Sequence, residues 1–180
     1  DSLTDMPASL FISALDSSVE VRFSEPRSQP LVDAATRAWS RCLDVGAGFR
    51  TAEPLVVGSP FNGTELELRT ALQTLTQRVT RQLITAQIGR LLLLHAGAVS
   101  HPGTGESLVF VAPGGTGKTT LARALGRTYG YLTDETVGID NTGRIRAYPK
   151  PLSLQRQDGG PKTEASPDDL GLAIAHPAPT

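Results

Sequence analysis

The alternation of apolar and polar residues near the start of the chain predicts two strands followed by a helix. Residues 10–15 and 19–23 are rich in apolar side chains and enclose a turn-forming run at 16–18, which favours a β-hairpin. Between residues 31 and 43, apolar side chains recur every three or four positions, as they do on one face of an amphipathic helix. We therefore expect Trp39, which lies on that face, in the core.

A long helix follows a stretch with the character of a loop. Residues 46–62 mix Gly and Pro with a short apolar run at 55–57, which indicates a loop with one strand. Thr64 and Glu67 then have the spacing of a capping box, so we expect a helix that begins there and runs to about Ile88. Its apolar positions are at helical spacing: Leu68, Leu72, Leu75, Val79, Leu83 and Ala86.

The middle of the chain predicts a strand pair that runs into a helix. Residues 91–100 and 107–112 are apolar, and residues 101–106 between them are dense in turn formers, so the two strands should pair antiparallel. Residues 118–127 have helical periodicity, and residues 131–133 indicate a further short strand.

The last third of the chain begins with a second hairpin and then loses its pattern. Residues 137–139 and 144–148 flank an Asp-Asn-Thr-Gly turn at 140–143, with Asn and Gly where a positive φ is favoured. Residues 155–169 are polar and rich in turn formers, so we expect a surface loop or a disordered segment there.

The composition narrows the class of protein and of partner. A chain of 180 residues with 39% apolar residues is expected to form one domain, or one domain and a small annex. Seventeen Lys and Arg against eighteen Asp and Glu leave a net charge of −1, so no long-range field attracts nucleic acid or an anionic membrane. We expect partners to be recognised locally, and neither nucleic acid nor membrane among them.

The single Cys42 excludes an internal disulfide and fits a reducing, cytoplasmic environment. The longest apolar run, residues 91–94, is far shorter than the roughly 20 residues of a membrane span, so we expect a soluble protein. The chain opens at Asp1 rather than at Met, which suggests a fragment or the ordered part of a longer chain.

One segment between a predicted strand and a predicted helix matches the phosphate-binding P-loop, or Walker A, pattern, with Ala112 in place of the first Gly. Its glycines can point successive backbone N–H groups at an anion, its lysine can contact the β- and γ-phosphates, and its first threonine offers a hydroxyl to Mg²⁺. A glycine-rich turn without function is the alternative. The candidate nucleotide-binding residues are Gly114, Gly115, Thr116, Gly117, Lys118, Thr119 and Thr120.

Two acids follow this loop at an unusually short interval. Asp134 and Glu135 lie sixteen and seventeen positions after Lys118, at the end of the next predicted strand. A carboxylate there can hold Mg²⁺ or accept a proton from an attacking hydroxyl, while a pair of solvated acids that opens a turn is the alternative. The interval is too short, and the hairpin before the loop is wrong, for a sheet of successive parallel βαβ units.

These features together resemble the HPr serine kinase/phosphorylase family, a structural relative of phosphoenolpyruvate carboxykinase. The resemblance covers about residues 91–152 and rests on Leu-His-Ala-Gly-Ala-Val at 94–99, the loop lysine with its threonines, and Leu-Thr-Asp-Glu at 132–135. It is closest to stand-alone HPr-kinase-like proteins of peptide-modification gene clusters. It implies an α/β fold with a mixed, partly antiparallel sheet. A small α/β element at 1–62 would precede a P-loop nucleotide-binding domain at 63–180. Whether that domain is incomplete at its C-terminus stays open.

Carried over by position, the resemblance implies that Lys118 and Thr119 bind phosphate and metal and that Asp134 is the acid nearest the transferred group. Glu135 replaces the second Asp usual in the serine kinases and is a further candidate metal ligand. His95 would lie beside the loop, close enough to bond the acid or a phosphate; a histidine buried within the hairpin is the alternative. The short signature of HPr kinases is absent downstream, which argues against HPr as the substrate.

The implied activity is that of a kinase that transfers the γ-phosphoryl group of ATP, with Mg²⁺, to a hydroxyl, and the acceptor we expect is a serine of a small protein or peptide. The alternative is a non-catalytic ATP-binding or sensing module of a peptide-processing complex. Phosphorylase activity and assembly into a homo-oligomer stay open.

Four further cations lie in the last third of the chain: Arg144, Arg146, Lys150 and Arg156. We expect them on a solvated strand edge; a phosphate or acceptor site that they line in the tertiary fold is the alternative.

Overall fold

The computed structural model describes residues 8–24, 28–44, 53–58 and 63–180. These residues form a mixed α/β fold with several small sheets and three helices, so the α/β class is confirmed. In chain order the elements are β1 (Ala8–Ala14), β2 (Ser17–Phe23), α1 (Gln29–Ala38), β3 (Leu55–Val57), α2 (Glu65–Ala86), β4 (Leu92–Ser100), β5 (Ser107–Val111), α3 (Lys118–Leu125), β6 (Gly130–Thr133), β7 (Thr136–Ile139), β8 (Ile145–Arg146), β9 (Leu152–Leu154) and β10 (Thr163–Ala165).

The predicted N-terminal hairpin is confirmed. β1 and β2 pair antiparallel, and β3 adds to β2 in parallel to give a three-stranded sheet. The connecting turn is Leu15-Asp16, with φ of 51° and 57°, one position earlier than the turn-forming run in the sequence suggested. Positive φ at both central residues is what a two-residue hairpin with right-handed strand twist requires. Most of the predicted loop at 46–62 lies outside the described residues, but its strand is present as β3.

Helix α1 is present but ends at Ala38, earlier than the predicted limit near residue 43. The chain leaves the helix because the following residues bond to the edge of β1: Ser13 N–H donates to the Cys42 carbonyl at 2.7 Å, and Asp44 N–H donates to the Phe11 carbonyl at 2.9 Å. Trp39 is fully buried, as predicted. Burial also raises the pKa of the Cys42 thiol to about 12, so this cysteine is an inert core residue.

Helix α2 begins as the capping box predicts. The Glu67 N–H donates to Thr64 Oγ1 at 3.2 Å, and the Thr64 N–H donates to Glu67 Oε2 at 3.3 Å. Its inner face packs against the first sheet and α1 to form the largest core, which we call the N-terminal core. Its fully or almost fully buried side chains include Ile12, Leu15, Val19, Val21, Phe23, Ala35, Trp39, Leu75, Val79, Leu83 and Tyr148.

The second sheet is antiparallel throughout, with strand order β5-β4-β7-β8. The predicted β4–β5 hairpin is confirmed, and so is the β7–β8 hairpin with its turn at 140–143. β6 also pairs with β4, so that β6 and β7 follow one another along the same edge of β4. Asp134 and Glu135 occupy the junction between them.

The prediction of a loop or disordered segment at 155–169 is wrong in part. β10 lies inside this segment and pairs antiparallel with β9. Glu164 and Ser166 are buried at 8% and 2% exposure. The segment looks like a surface loop in sequence because its buried residues are polar and find their hydrogen-bond partners in other elements. Among the described residues, no helix combines the length and apolar content that a membrane span needs.

Candidate functional site

The glycine-rich loop joins β5 to α3, the strand-to-helix context that the P-loop pattern requires. Gly115 and Gly117 have φ of 78° and 95°, a region that residues with a Cβ adopt only with strain. A Cβ built on Gly114, Gly115 or Gly117 would meet no atom of the described residues within 4 Å, so the space beside these glycines is open. The loop therefore has room for a ligand beside its backbone.

Lys118 begins α3 with its side chain folded over the loop. It is 9% exposed, and its Nζ donates to the carbonyls of Ala112 and Pro113 at 2.5 and 2.9 Å. Thr116 Oγ1 also donates to the Pro113 carbonyl, at 2.7 Å. The ammonium is thus held at the loop by neutral oxygens, which an anion in the loop would outcompete as partners.

Asp134 contacts the first turn of the same helix. Its Oδ2 accepts from Thr119 Oγ1 at 2.9 Å and its Oδ1 from the Tyr131 hydroxyl at 3.2 Å, and the residue is 4% exposed. Solvated acids that open a turn were the alternative, and that interpretation is wrong for Asp134. Glu135 keeps 41% of its side chain exposed. The structure thus brings the loop threonine and the first acid together.

The sheet register explains why the two motifs meet. Val111, the last residue before the loop, is the β4 partner of Ala96, and the Ala96 N–H donates to the Glu135 carbonyl at 3.0 Å. The loop and the acids therefore leave the sheet on one row, two strand spacings or about 10 Å apart. β5 and β6 pair antiparallel with the two edges of β4, and α3, a helix of only eight residues, connects them. This short crossover accounts for the small interval in sequence between the loop and the acids.

Lys150 is a site residue that the sequence analysis misassigned. Its side chain is fully buried, and its Nζ lies 3.2 Å from both Asp134 Oδ1 and Glu135 Oε2 and donates to the Pro151 carbonyl at 2.8 Å. Burial disfavours the charged ammonium, but the neighbouring carboxylates, Asp134 first, outweigh it and raise the pKa of Lys150 to about 12. The predicted solvated strand edge is therefore wrong for Lys150.

The other three cations of that group behave differently. Arg146 pairs with Asp16 and Asp140 and keeps 39% of its side chain exposed, while Arg156 pairs with Asp158 two residues later. Neither lines the space beside the loop, and Arg144 is exposed. For them the solvated edge is a fair description. The one signal that could have separated Lys150 is its rarity, since only three lysines occur in the chain.

Glu164 is a second buried acid that the sequence analysis missed. Both of its carboxylate oxygens accept from the Ser153 hydroxyl, at 2.9 Å each. Burial raises the pKa of Glu164 to about 7, although the Lys150 charge and the Ser153 hydrogen bond oppose the shift. No local pattern marks this residue, because its partners come from β9 and from the segment that follows β8.

The loop glycines and the acids that follow them line one pocket of about 700 Å³, which we call the cleft. The fully buried Lys150 contacts Asp134 and Glu135 but is not among the lining residues. His95 is exposed and lies on the wall of the cleft, so the alternative of a histidine buried within the hairpin is wrong. Helix α2 contributes a polar stripe of Gln73, Thr76, Gln77 and Thr80. Thr76 is 2% exposed, and its Oγ1 has no hydrogen-bond partner among the residues that the structure describes. The lining residues are Gln73, Thr76, Gln77, Thr80, His95, Gly114, Gly115, Gly117, Lys118, Thr119, Thr120, Arg123, Asp134, Glu135, Ser153, Leu154, Gln155, Lys162 and Glu164.

The donor set of the cleft suits a hard cation that is shared with a phosphate. Within the described parts of the chain, no group of three or more His, Cys, Asp or Glu is arranged to hold a metal by itself. The Thr119 hydroxyl and the Asp134 carboxylate, 2.9 Å apart, supply oxygen ligands of the kind that Mg²⁺ takes from proteins when phosphates complete its shell. The residues present thus fit a metal that arrives with a nucleotide.

Comparison with known proteins adds no family to this description. No protein-family model, no curated protein and no solved structure matches the chain.

Proposed function

We propose that the chain is an ATP-dependent kinase of the HPr-kinase-like P-loop type, which transfers the γ-phosphoryl group of Mg-ATP to a hydroxyl. The observation that carries this proposal is the contact between Asp134 and Thr119. It joins a buried acid to the first turn of the helix that leaves a phosphate-type loop. Burial of a charged carboxylate costs free energy. Its position beside the loop threonine therefore supports a role for Asp134 at a ligand that the loop binds.

The loop would bind the triphosphate through its backbone. Gly114, Gly115 and Gly117 leave the N–H groups accessible, the N-terminus of α3 adds unpaired donors, and Lys118 adds a positive charge. Thr119 and Asp134 would hold Mg²⁺, which supplies neutralisation of phosphate charge when bound. Transfer of a phosphoryl group needs mainly such positioning and charge stabilisation.

The acceptor hydroxyl would enter from the side of the cleft formed by α2, β9 and β10. Asp134 would orient this hydroxyl or take its proton, and His95 on β4 lines the same cleft. Polar side chains of the α2 stripe, such as Gln77 and the unpartnered Thr76, suit the amide groups of a peptide. The acceptor we propose is a serine of a small protein or peptide.

A non-catalytic ATP-binding module is the second candidate, and one observation favours it. Three donors already occupy the Asp134 carboxylate: the Thr119 hydroxyl, the Tyr131 hydroxyl and the Lys150 ammonium. A carboxylate whose oxygens are already occupied by three donors suits a structural role. A module of this type would bind Mg-ATP without labelling any partner.

The two candidates separate in one experiment with γ-labelled ATP, Mg²⁺ and candidate peptides from neighbouring genes. A kinase labels a peptide, and Asp134→Asn loses that transfer while calorimetry still detects nucleotide binding. The matched control is Asp33→Asn, an exposed acid on α1 that should behave as wild type. ATP binding without transfer by the wild type supports the module. Absence of binding heat from both ATP and GTP contradicts the proposed P-loop function altogether.

A further inference from the structure

The cleft holds a serine and a glutamate in direct contact on neighbouring strands. Ser153 on β9 and Glu164 on β10 are register partners in the β9–β10 pair. The Ser153 hydroxyl donates to the carboxylate, 2.9 Å from each of its two oxygens. Because the strand register sets this contact, it does not depend on the conformation of a loop.

This pair has the arrangement of an activated nucleophile. A serine hydroxyl becomes reactive when a base lies within about 2.6–3.2 Å and a third group fixes the state of that base. Here Glu164 is the base, and the charge of the fully buried Lys150 acts on its carboxylate. Burial raises the pKa of Glu164 to about 7, so near neutral pH it can accept a proton and hold it.

The position of the pair points to the phosphoryl group as its electrophile. Ser153 is partly exposed, whereas Glu164 is buried behind it, and both line the cleft that also contains Lys118 and Thr119. Lys162, which lines the same cleft two residues before Glu164, could neutralise a phosphate added on this wall. A serine that served only to satisfy a buried glutamate would not need to open into the cleft.

We propose that Ser153 is an internal phosphoryl acceptor, which the chain phosphorylates with its own bound ATP while Glu164 takes the hydroxyl proton. The Ser153 Oγ forms a bond to the γ-phosphorus, the bond from that phosphorus to the β,γ-bridging oxygen breaks, and ADP leaves. The proton moves from Oγ to a Glu164 carboxylate oxygen. This inference rests on the proposed function, because the loop must first bind ATP.

The test uses the full chain with γ-labelled ATP and Mg²⁺, quenched in acid and mapped by mass spectrometry. We expect one phosphoserine, at Ser153, which forms with a rate constant that does not change when the protein is diluted. Ser153→Ala should lose the label and Ser153→Thr should retain it. Glu164→Gln, which keeps the shape but cannot take the proton, should slow labelling by about 100-fold.

A matched control is present on the first sheet. Ser9 also donates to a glutamate, Glu20, at 3.5 Å, but at an exposed position of β1 outside the cleft. Ser9→Ala should label as the wild type does. Circular dichroism of each variant shows whether it is folded. If Ser153→Ala does not fold, the position of the label in Ser153→Thr decides the test.

The outcomes distinguish this inference from the function on which it rests. If ATP binds and its γ-phosphoryl reaches water or a peptide but never Ser153, the inference is overturned and the proposed function stands. Label at another residue, a rate constant that rises with protein concentration, or undiminished labelling in Glu164→Gln also overturns it. If calorimetry shows no binding of ATP, both the inference and the proposed function fail.

Discussion

The N-terminal core and the cleft bury opposite kinds of side chain. The N-terminal core is aliphatic and aromatic, so removal from water stabilises it directly. The cleft is lined by Lys118, Asp134 and Glu164, and Lys150 contacts Asp134; each of the four is 9% exposed or less. Burial of these charges costs free energy, and it is tolerated because each has an opposite charge or a hydrogen bond within reach.

The difference shows how this fold separates stability from chemistry while keeping the two regions in contact. Tyr148 connects the two regions. Its ring lies 6.2 Å from that of Trp39 in the N-terminal core, measured between ring centroids. Its hydroxyl shares a 2.7 Å hydrogen bond with Thr80, which lines the cleft. Helix α2 likewise turns an apolar face to the core and a polar stripe to the cleft. We therefore expect core substitutions to affect folding and cleft substitutions to affect function. Lys150 and, through the pH dependence of stability, Glu164 are the exceptions.

Lys150→Met should have the largest effect and should affect both properties. The variant leaves Asp134 and Glu135 without their shared cation, and removal of one partner from a buried ion pair costs about 3–5 kcal/mol. Urea denaturation measures the loss, and Lys150→Arg, which keeps the charge, is the control. A Met variant as stable as the wild type would mean that these acids do not need the lysine, which would remove the contrast between the regions.

Lys118→Ala should abolish function and spare the fold. Loss of a charge that stabilises the transferred phosphoryl group should lower ATP turnover by about 100- to 1,000-fold. The free energy of unfolding should change little, since within the described part of the chain the lysine bonds only to loop carbonyls. Arg127→Ala removes an exposed cation just beyond the same helix and serves as the control. Turnover equal to that of the wild type would exclude the loop from the mechanism.

Leu83→Ala should produce the reverse pattern in the N-terminal core. Leu83 is fully buried, so its truncation should cost about 3 kcal/mol of stability through lost burial and a cavity. The affinity of the remaining folded protein for ATP should be unchanged. Leu66→Ala on the same helix is the control, because Leu66 is 60% exposed and should lose little stability. A large change in ATP affinity for Leu83→Ala would show that the two regions are coupled.

The smallest of these effects should be the pH dependence of stability that Glu164 causes. Its folded-state pKa of about 7 exceeds the reference value of 4.5 because of burial. Its contribution to stability is therefore fully present below about pH 4.5 and is lost as pH rises through 7, up to about 3 kcal/mol. Glu164→Gln lacks this dependence. As pH rises over that interval, the free energy of unfolding of the wild type should therefore fall relative to that of the variant, which unfolding curves measure. Parallel pH profiles would contradict the raised pKa.

Sequence patterns predicted those elements whose signals are local. The capping box of Thr64 and Glu67, the β4–β5 hairpin and the glycine loop before α3 are all confirmed as structure, because each depends on residues within a few positions of one another. Helix α1 was predicted too long, since its end depends on hydrogen bonds to β1, far away in sequence. The roles assigned to Lys118, Asp134 and His95 stay predictions.

The cleft was predicted only in part for a related reason. The meeting of Thr119 with Asp134 follows from a short connection and a hairpin, both visible in the sequence. The pairing of Lys150 with two acids and of Glu164 with Ser153 was not foreseen, because a polar residue has the same local signature at a surface and in a buried network. Segment 155–169 was misjudged on this account.

The order of amino acids alone thus determined the α/β class, the periodic helix α2, the hairpins and the loop that can surround an anion. These follow from backbone preferences and apolar periodicity, which act over a few residues. Only the tertiary structure decided which charges are buried together and which hydroxyl lies against which carboxylate. Desolvation and pairing depend on distances between strands that are remote in the chain, and those distances exist only once the sheets have assembled.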